Sequence, residues 1–173
     1  MPETPRALLA RLDALGIEHR TVSHPPVFTV EESKALRPDL PGGHSKNLFL
    51  KPQKTEGPLL LAVLEEDRRV SVNALARALG VSRVGFAPAA DLMAQLGVEP
   101  GSVTPFGLVN AVPGAVRAIL DRHLMEDFEW VNFHPLTNAM TTAIRPAGLL
   151  AFLRHLGHAP EIVEPPPASP NGP

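Results

Sequence analysis

At 173 residues with 44% hydrophobic side chains, the chain has the size of one compact domain and enough apolar material for a continuous core. Its 16 Lys and Arg against 18 Asp and Glu leave a net charge of -2, which excludes a general attraction to polyphosphate and makes any RNA contact a local one. The absence of cysteine excludes disulfides, thiolate metal sites and a cysteine nucleophile. The longest apolar runs, such as Leu59 to Leu64, fall far short of a membrane span, and MPETPRALLARL lacks the basic-then-apolar order of a signal peptide. A soluble cytoplasmic protein is expected.

In chain order, Pro5 to Leu15 places Leu8, Leu9, Leu12 and Leu15 on one helical face, and Gly16 stops the helix. Ile17 to Ser23 alternates weakly, as a strand does. Thr29 and Glu32 form a capping box for a short helix ending before Pro38. Lys46 to Lys51 and Leu59 to Glu65 read as two strands of a hairpin around PQKTEG. Ser71 caps a helix through Leu79 that Gly80 terminates, and Ala89 to Leu96 repeats the arrangement with Gly97. Beyond the Gly- and Pro-rich stretch Glu99 to Gly107, the runs Ala115 to Leu120 and Phe128 to Phe133 have strand character, and Pro146 opens a last helix through Leu156. Residues 108–144 thus read as consecutive strands without intervening helices, which favours a mixed α+β sheet over a doubly wound one. Residues 1–163 form one domain with no internal repeat. The last ten residues, EPPPASPNGP, hold five prolines, and 164–173 are expected to be a disordered tail.

Common catalytic signatures are missing: there is no GxSxG elbow, P-loop, GxGxxG or HExxH. Of the histidines only His155 and His158 approach ligand spacing, and a catalytic zinc needs a third ligand that nothing nearby offers. No metal and no cofactor are expected.

Three segments place polar residues inside apolar sequence. In GGHSKNLFLK, residues 42–51, Lys46 opens a strand after a flexible glycine pair. If Leu48 and Leu50 face the core, alternation turns Lys46 the same way, and an inward cation needs an anion or a cleft. The alternative is a lysine snorkelling to water from the strand mouth. In GSVTPFG, residues 101–107, Gly101 allows close approach and Pro105 fixes the turn, so backbone groups around Thr104 are held ready for a small polar ligand. An ordinary connection would read the same. In FHPLTNAMTTAI, residues 133–144, His134 ends a strand, Pro135 blocks it, and Thr137, Asn138, Thr141 and Thr142 supply neutral hydrogen-bonding groups beside small alanines. That composition suits a small pocket, or a capped turn feeding a buried strand.

Over residues 17–157, SKNLFL, GSVTPFGL and HPLTNAMTTAI resemble, in order and spacing, the YbaK and prolyl-tRNA synthetase-associated editing family. The N-terminal helix, HPPVFTVEE and the KNLFLK form are most similar to its freestanding alanine-specific branch. The resemblance implies a mixed sheet bent toward a barrel with helices around it. It implies that Lys46 lies in the editing site and is required for deacylation. It also implies that the Gly101–Pro105 loop, with Thr104 inside it, holds the aminoacyl group through its backbone, and that His134 starts the HPL motif of the site. Asn138 occupies a position where relatives carry other polar residues.

The implied substrate bond is the ester joining an amino acid to the terminal ribose of tRNA, for which a positioned water and a stabilised carbonyl oxygen suffice. Lys46 is expected to anchor the terminal adenosine or its phosphate, with polarisation of the ester carbonyl as the lesser alternative, and His134 to orient the aminoacyl group. No Asp or Glu falls in the three segments, which argues against a carboxylate base there. Alanine fits a double sieve, because a synthetase built for proline rejects a smaller residue by only about 1–3 kcal/mol. The expected partners are the acceptor end of mischarged tRNA and prolyl-tRNA synthetase. Lys51 and Arg83 are the chosen tRNA contacts, with Lys54, Arg68, Arg69 and Arg77 as further cations. The competing readings are a cysteinyl-tRNA deacylase of the same family and a non-catalytic module that binds aminoacyl-tRNA or a synthetase.

Overall fold

The structure is a computed structural model that describes residues 1–35 and 40–168. In chain order its elements are α1 (Pro5–Ala14), β1 (His19–Ser23), α2 (Val30–Ala35), β2 (Gly43–Pro52), β3 (Leu59–Glu65), α3 (Val72–Ala78), β4 (Val84–Phe86) and α4 (Ala89–Leu96). A 3₁₀ helix (Pro105–Asn110) follows, then β5 (Val116–Asp121), α5 (Arg122–Glu126), β6 (Val131–Phe133), β7 (Met140–Ile144), α6 (Pro146–His155) and β8 (Glu161–Val163). The eight strands form one mixed sheet in the order β1-β7-β6-β2-β3-β5-β8, with β4 on the side of β2. The expected α+β class with a mixed sheet is what the chain adopts. The described pairings leave β1 and β8 as the two ends of the path, so the sheet does not close into a barrel.

The continuous apolar run of β3 follows from burial on both faces. Leu61 and Val63 enter the main core with Leu8, Leu12, Phe106, Leu149 and Phe152, while Leu60, Ala62 and Leu64 pack under α3. Phe106 meets Phe133 and Phe152 edge-on, with ring centroids 5.9 and 6.0 Å apart, which ties the 3₁₀ helix to β6 and α6. The β2–β3 hairpin is antiparallel from Ser45 opposite Glu65 to Leu50 opposite Leu60. The Ser71 hydroxyl caps α3 by accepting the Ala74 N–H at 3.2 Å.

Three expectations are corrected. Residues 108–144 are not strands alone: α5 interrupts them, because the Asp121 carboxylate ends β5 and accepts the His123 N–H at 3.0 Å as an N-cap. The strand expected over Phe128–Phe133 is confined to Val131–Phe133. The capping box at α2 is offset by one residue. Thr29 Oγ1 accepts the Glu32 N–H at 3.1 Å, but the Glu32 carboxylate reaches past Thr29 to the Phe28 N–H at 2.7 Å.

Strands β4 and β8, three residues each, are too short to leave a periodic signal. The expected end of α2 before Pro38 lies outside the described residues. At the other end, Glu164 is ion-paired with Arg68 at 3.2 Å, Pro165 is buried, and the Ala168 N–H donates to the Arg69 carbonyl at 3.4 Å. Residues 169–173 of the expected tail lie outside the described residues.

Candidate functional site

The site forms where β2 changes neighbours. In parallel with β6 it pairs only Gly43 with Val131 and His44 with Asn132, while from Ser45 onward it is held by β3 on its other edge. The glycine pair before Lys46, expected to be flexible, is a place of close approach. A Cβ on Gly42 would lie 2.3 Å from the Trp130 carbonyl oxygen, and one on Gly43 2.8 Å from the Phe128 ring. The Gly43 N–H donates to that Trp130 carbonyl at 2.8 Å. Lys46 therefore emerges at a fixed point.

Alternation turns Lys46 to the same face as Leu48 and Leu50, which pack under α3, and its ammonium donates to the Arg68 carbonyl. That carbonyl is held in place from behind. The Arg68 Nε donates to fully buried Asp121 at 2.7 Å, and the same carboxylate oxygen accepts the Glu65 N–H at 2.9 Å. Burial works against the Arg68 charge, yet the hydrogen bond and proximity of Asp121, helped by Glu164, raise its pKa. Arg68 thus has a structural role, tying the turn to Asp121 and Glu164.

Beside Lys46 opens a cavity of about 300 Å³, at the small end of ligand sites. Lys46, Gly101 and His134, expected from three separate segments, all line it. Thr104 and Pro105 do not. Both are buried, and the Thr104 hydroxyl accepts the Phe106 N–H at 3.2 Å to cap the 3₁₀ helix. The loop they belong to is tied to β2 by the Asn47 side chain, which donates to the Val103 carbonyl at 3.1 Å.

Asn138 stands outside the lining and clamps Val27. Its Nδ2 donates to the Val27 carbonyl at 2.9 Å, and its own carbonyl accepts the Val27 N–H at 3.2 Å. Lys51, ion-paired with Asp91 at 2.9 Å, sits five residues down β2 from Lys46. At the rise of a strand that is roughly 16 Å away. Arg83 is exposed just before β4, beside Lys51 and not beside the cavity. His158 is buried and donates through Nε2 to the Leu108 carbonyl at 2.8 Å, a structural role.

His134 Nδ1 donates to the Met140 carbonyl at 2.9 Å, which leaves Nε2 as an acceptor on the neutral ring. Burial pushes its pKa down from the ordinary 6.5, the Met140 bond partly opposes, and nearby His24 adds to the lowering. His24 donates through Nδ1 to the Pro25 carbonyl and accepts the Thr141 hydroxyl through Nε2, each at 2.8 Å. The turn between them is strained: Leu136 adopts φ 66°, which costs a side-chain-bearing residue about 1–2 kcal/mol and is offset by its packing on the core.

Glu66, Asn132, Thr141 and Phe28 also line the cavity. Glu66 adds a carboxylate to the lining, whereas the three segments themselves hold none. It comes from outside the three segments, beside the site because β2 and β3 pair Ser45 with Glu65. Asn132 lies two residues before His134, a strand-parity signal that was open to reading. Glu65, Glu66 and Asp67 bring one oxygen each within 4.8 Å, but Asp67 pairs with Lys34 at 2.7 Å and Glu65 accepts the Asp67 N–H at 3.0 Å. Of the three, Glu66 is the one that lines the cavity.

Residues 24–152 match the family model described as an aminoacyl-tRNA editing domain. Prolyl-tRNA synthetase associated domain-containing protein 1 of Bos taurus is 43% identical over 160 residues, covering 91% of this chain and 92% of that protein. Prolyl-tRNA editing protein ProX of Acetoanaerobium sticklandii is 28% identical over 159 residues, covering 92% and 96%. A solved structure described as a candidate trans-editing enzyme for prolyl-tRNA synthetase superposes with a TM-score of 0.73 at 19% identity, over 97% of this chain and 99% of that one. The last likeness is one of fold. Among the described residues no helix is long and apolar enough to cross a membrane.

Proposed function

The chain belongs to the aminoacyl-tRNA editing domain family, and on that premise we propose that it hydrolyses the aminoacyl ester of mischarged tRNA, with alanine on proline tRNA as its preferred substrate. The observation that carries the reading is the convergence of Lys46, Gly101 and His134 on one small cavity. The printed name of the ProX relative, a prolyl-tRNA editing protein, supports proline tRNA as the carrier.

In this mechanism Lys46 leaves the Arg68 carbonyl to meet the terminal phosphate or ribose, and the cation fixes the acceptor end over the cavity. The Gly101 loop presents backbone to the aminoacyl group. Neutral His134 accepts a hydrogen bond at Nε2 from the substrate, which aligns the ester carbonyl for attack by water. An ester is activated enough that positioning and charge stabilisation supply most of the acceleration, so no protein nucleophile is needed. The neighbouring ribose hydroxyl assists the water. On this reading proline is rejected by the fit of its ring beside Gly101 and His134, where the aminoacyl group seats, because the whole cavity of about 300 Å³ would hold it.

The test is a deacylation panel of the purified chain against alanyl-, cysteinyl-, seryl- and prolyl-tRNA. Hydrolysis of alanyl-tRNA well above prolyl-tRNA is expected. Equal rates for the two would end the size-sieve account, preference for cysteinyl-tRNA would replace the substrate, and no hydrolysis of any would leave a binding module.

A further inference from the structure

Among the described residues the exposed large apolar side chains include two aromatics, Phe28 and Phe86. Phe86 stands on β4, while Phe28, 70% exposed, lines the polar cavity. An exposed phenyl ring gains nothing from folding by itself, yet this one is held with care. Val27, buried just before it, is clamped from both backbone sides by Asn138, and the Phe28 N–H is fixed by the Glu32 carboxylate at 2.7 Å. The ring lies against Gly101, where a Cβ would stand only 3.1 Å from its Cδ1. A missing side chain thus makes room for an aromatic ring that faces solvent at the lip of the site.

We propose that Phe28 is the stacking platform for the terminal nucleobase of the RNA, the purine one ribose away from the ester. The inference rests on the reading of the cavity as an aminoacyl-tRNA site and assigns the group just outside it. An ester carbonyl placed in the cavity leaves its ribose at the mouth and the base as the next group outward, where the ring waits. A flat apolar surface beside a polar pocket matches a nucleobase, whose face is apolar and whose sugar and ester are polar. In a chain of net charge -2 it also supplies affinity that phosphate contacts do not. Asn138 then acts as a positioning residue: its two bonds to Val27 aim Phe28.

The test measures binding of an uncharged acceptor-stem minihelix ending either in adenosine or in an abasic nucleotide, for the wild type, Phe28→Ala and Phe28→Trp. The alanine variant is expected to bind the adenosine-ended RNA roughly 10- to 100-fold more weakly, and the tryptophan variant at least as well as the wild type. Removing the base should weaken the wild type by the same factor and the alanine variant by nothing further. Equal affinity of wild type and Phe28→Ala for the adenosine-ended RNA, or an abasic penalty that is the same in both proteins, overturns the proposal. Because the readout is binding, absence of ester hydrolysis in the wild type would count against the proposed function while leaving the base-dependent difference to be read separately. Phe28 is exposed, so the variants should melt with the wild type; a shared loss of melting temperature and affinity would assign the ring to the fold instead.

Discussion

The Nδ1 of His134 donates to the Met140 carbonyl across 2.9 Å, and this one bond sets both the tautomer and the aim of the ring. With Nδ1 committed, only Nε2 remains to accept a hydrogen bond, and burial favours the unprotonated ring.

A pH dependence follows. Burial lowers the His134 pKa below 6.5, so deacylation that uses a neutral Nε2 should persist as pH falls through 6.5 and drop only below it. Below 6.5 the unfolded chain takes up the proton before the folded one, so this ring's contribution to stability is present above that pH and is lost as pH falls through the lowered value. A pH–rate profile with parallel thermal melts checks both. A rate that already halves near pH 7 would show that His134 does not govern the reaction.

Lys46→Ala should lower the deacylation rate by about 10²–10³-fold, the effect of removing one positioned charge from a site. Its melting temperature should stay within a few degrees of the wild type, because the half-buried side chain is held by a single carbonyl. Single-turnover kinetics beside a thermal melt decide it.

Gly101→Ala should lose activity through the backbone. The φ of +92° costs alanine about 1–2 kcal/mol, and the new Cβ would press on Phe28 at 3.1 Å. A small drop in urea midpoint with a larger drop in deacylation is expected; unchanged activity would remove the loop from the site.

Asp121→Ala should cost about 3–5 kcal/mol in urea unfolding, because Arg68 would be left without its buried partner. The N–H groups of Glu65 and His123 lose their acceptor as well. The turn that offers its carbonyl to Lys46 is freed at the same time, so activity should fall even where the protein remains folded. Retained activity at low temperature would show that Lys46 needs no such support.

Glu66→Gln tests whether the cavity carboxylate activates water. With the ribose hydroxyl assisting, the rate should change less than about tenfold; a loss of 10²-fold or more would make Glu66 a general base.

The parts of this structure legible in the sequence are those written locally. Ser71 and Gly97 mark helix ends through caps, and the β2–β3 hairpin shows in two flanking apolar runs. Lys46, Gly101 and His134 stood out because a polar or small residue broke an apolar stretch. What stayed hidden depends on long-range placement. Thr104 and Pro105 carry the same residue types whether they touch a ligand or cap a 3₁₀ helix, and only the packing of Phe106 decides. Glu66 reaches the cavity through strand register, and Asn138 works at one remove, through Val27. The cation chosen as best placed for RNA, Lys51, belongs to the same strand as Lys46 but to its far end.

The two-residue parallel join between β2 and β6 has a kinetic consequence. The β2–β3 hairpin closes over a handful of residues and should form early, whereas Gly43 meets Val131 only after nearly ninety residues of chain have been ordered between them. Until that late closure the lysine and the histidine belong to different pieces. Refolding followed by deacylation should therefore lag behind refolding followed by the hairpin. Recovery of activity reports the last step of folding rather than its average.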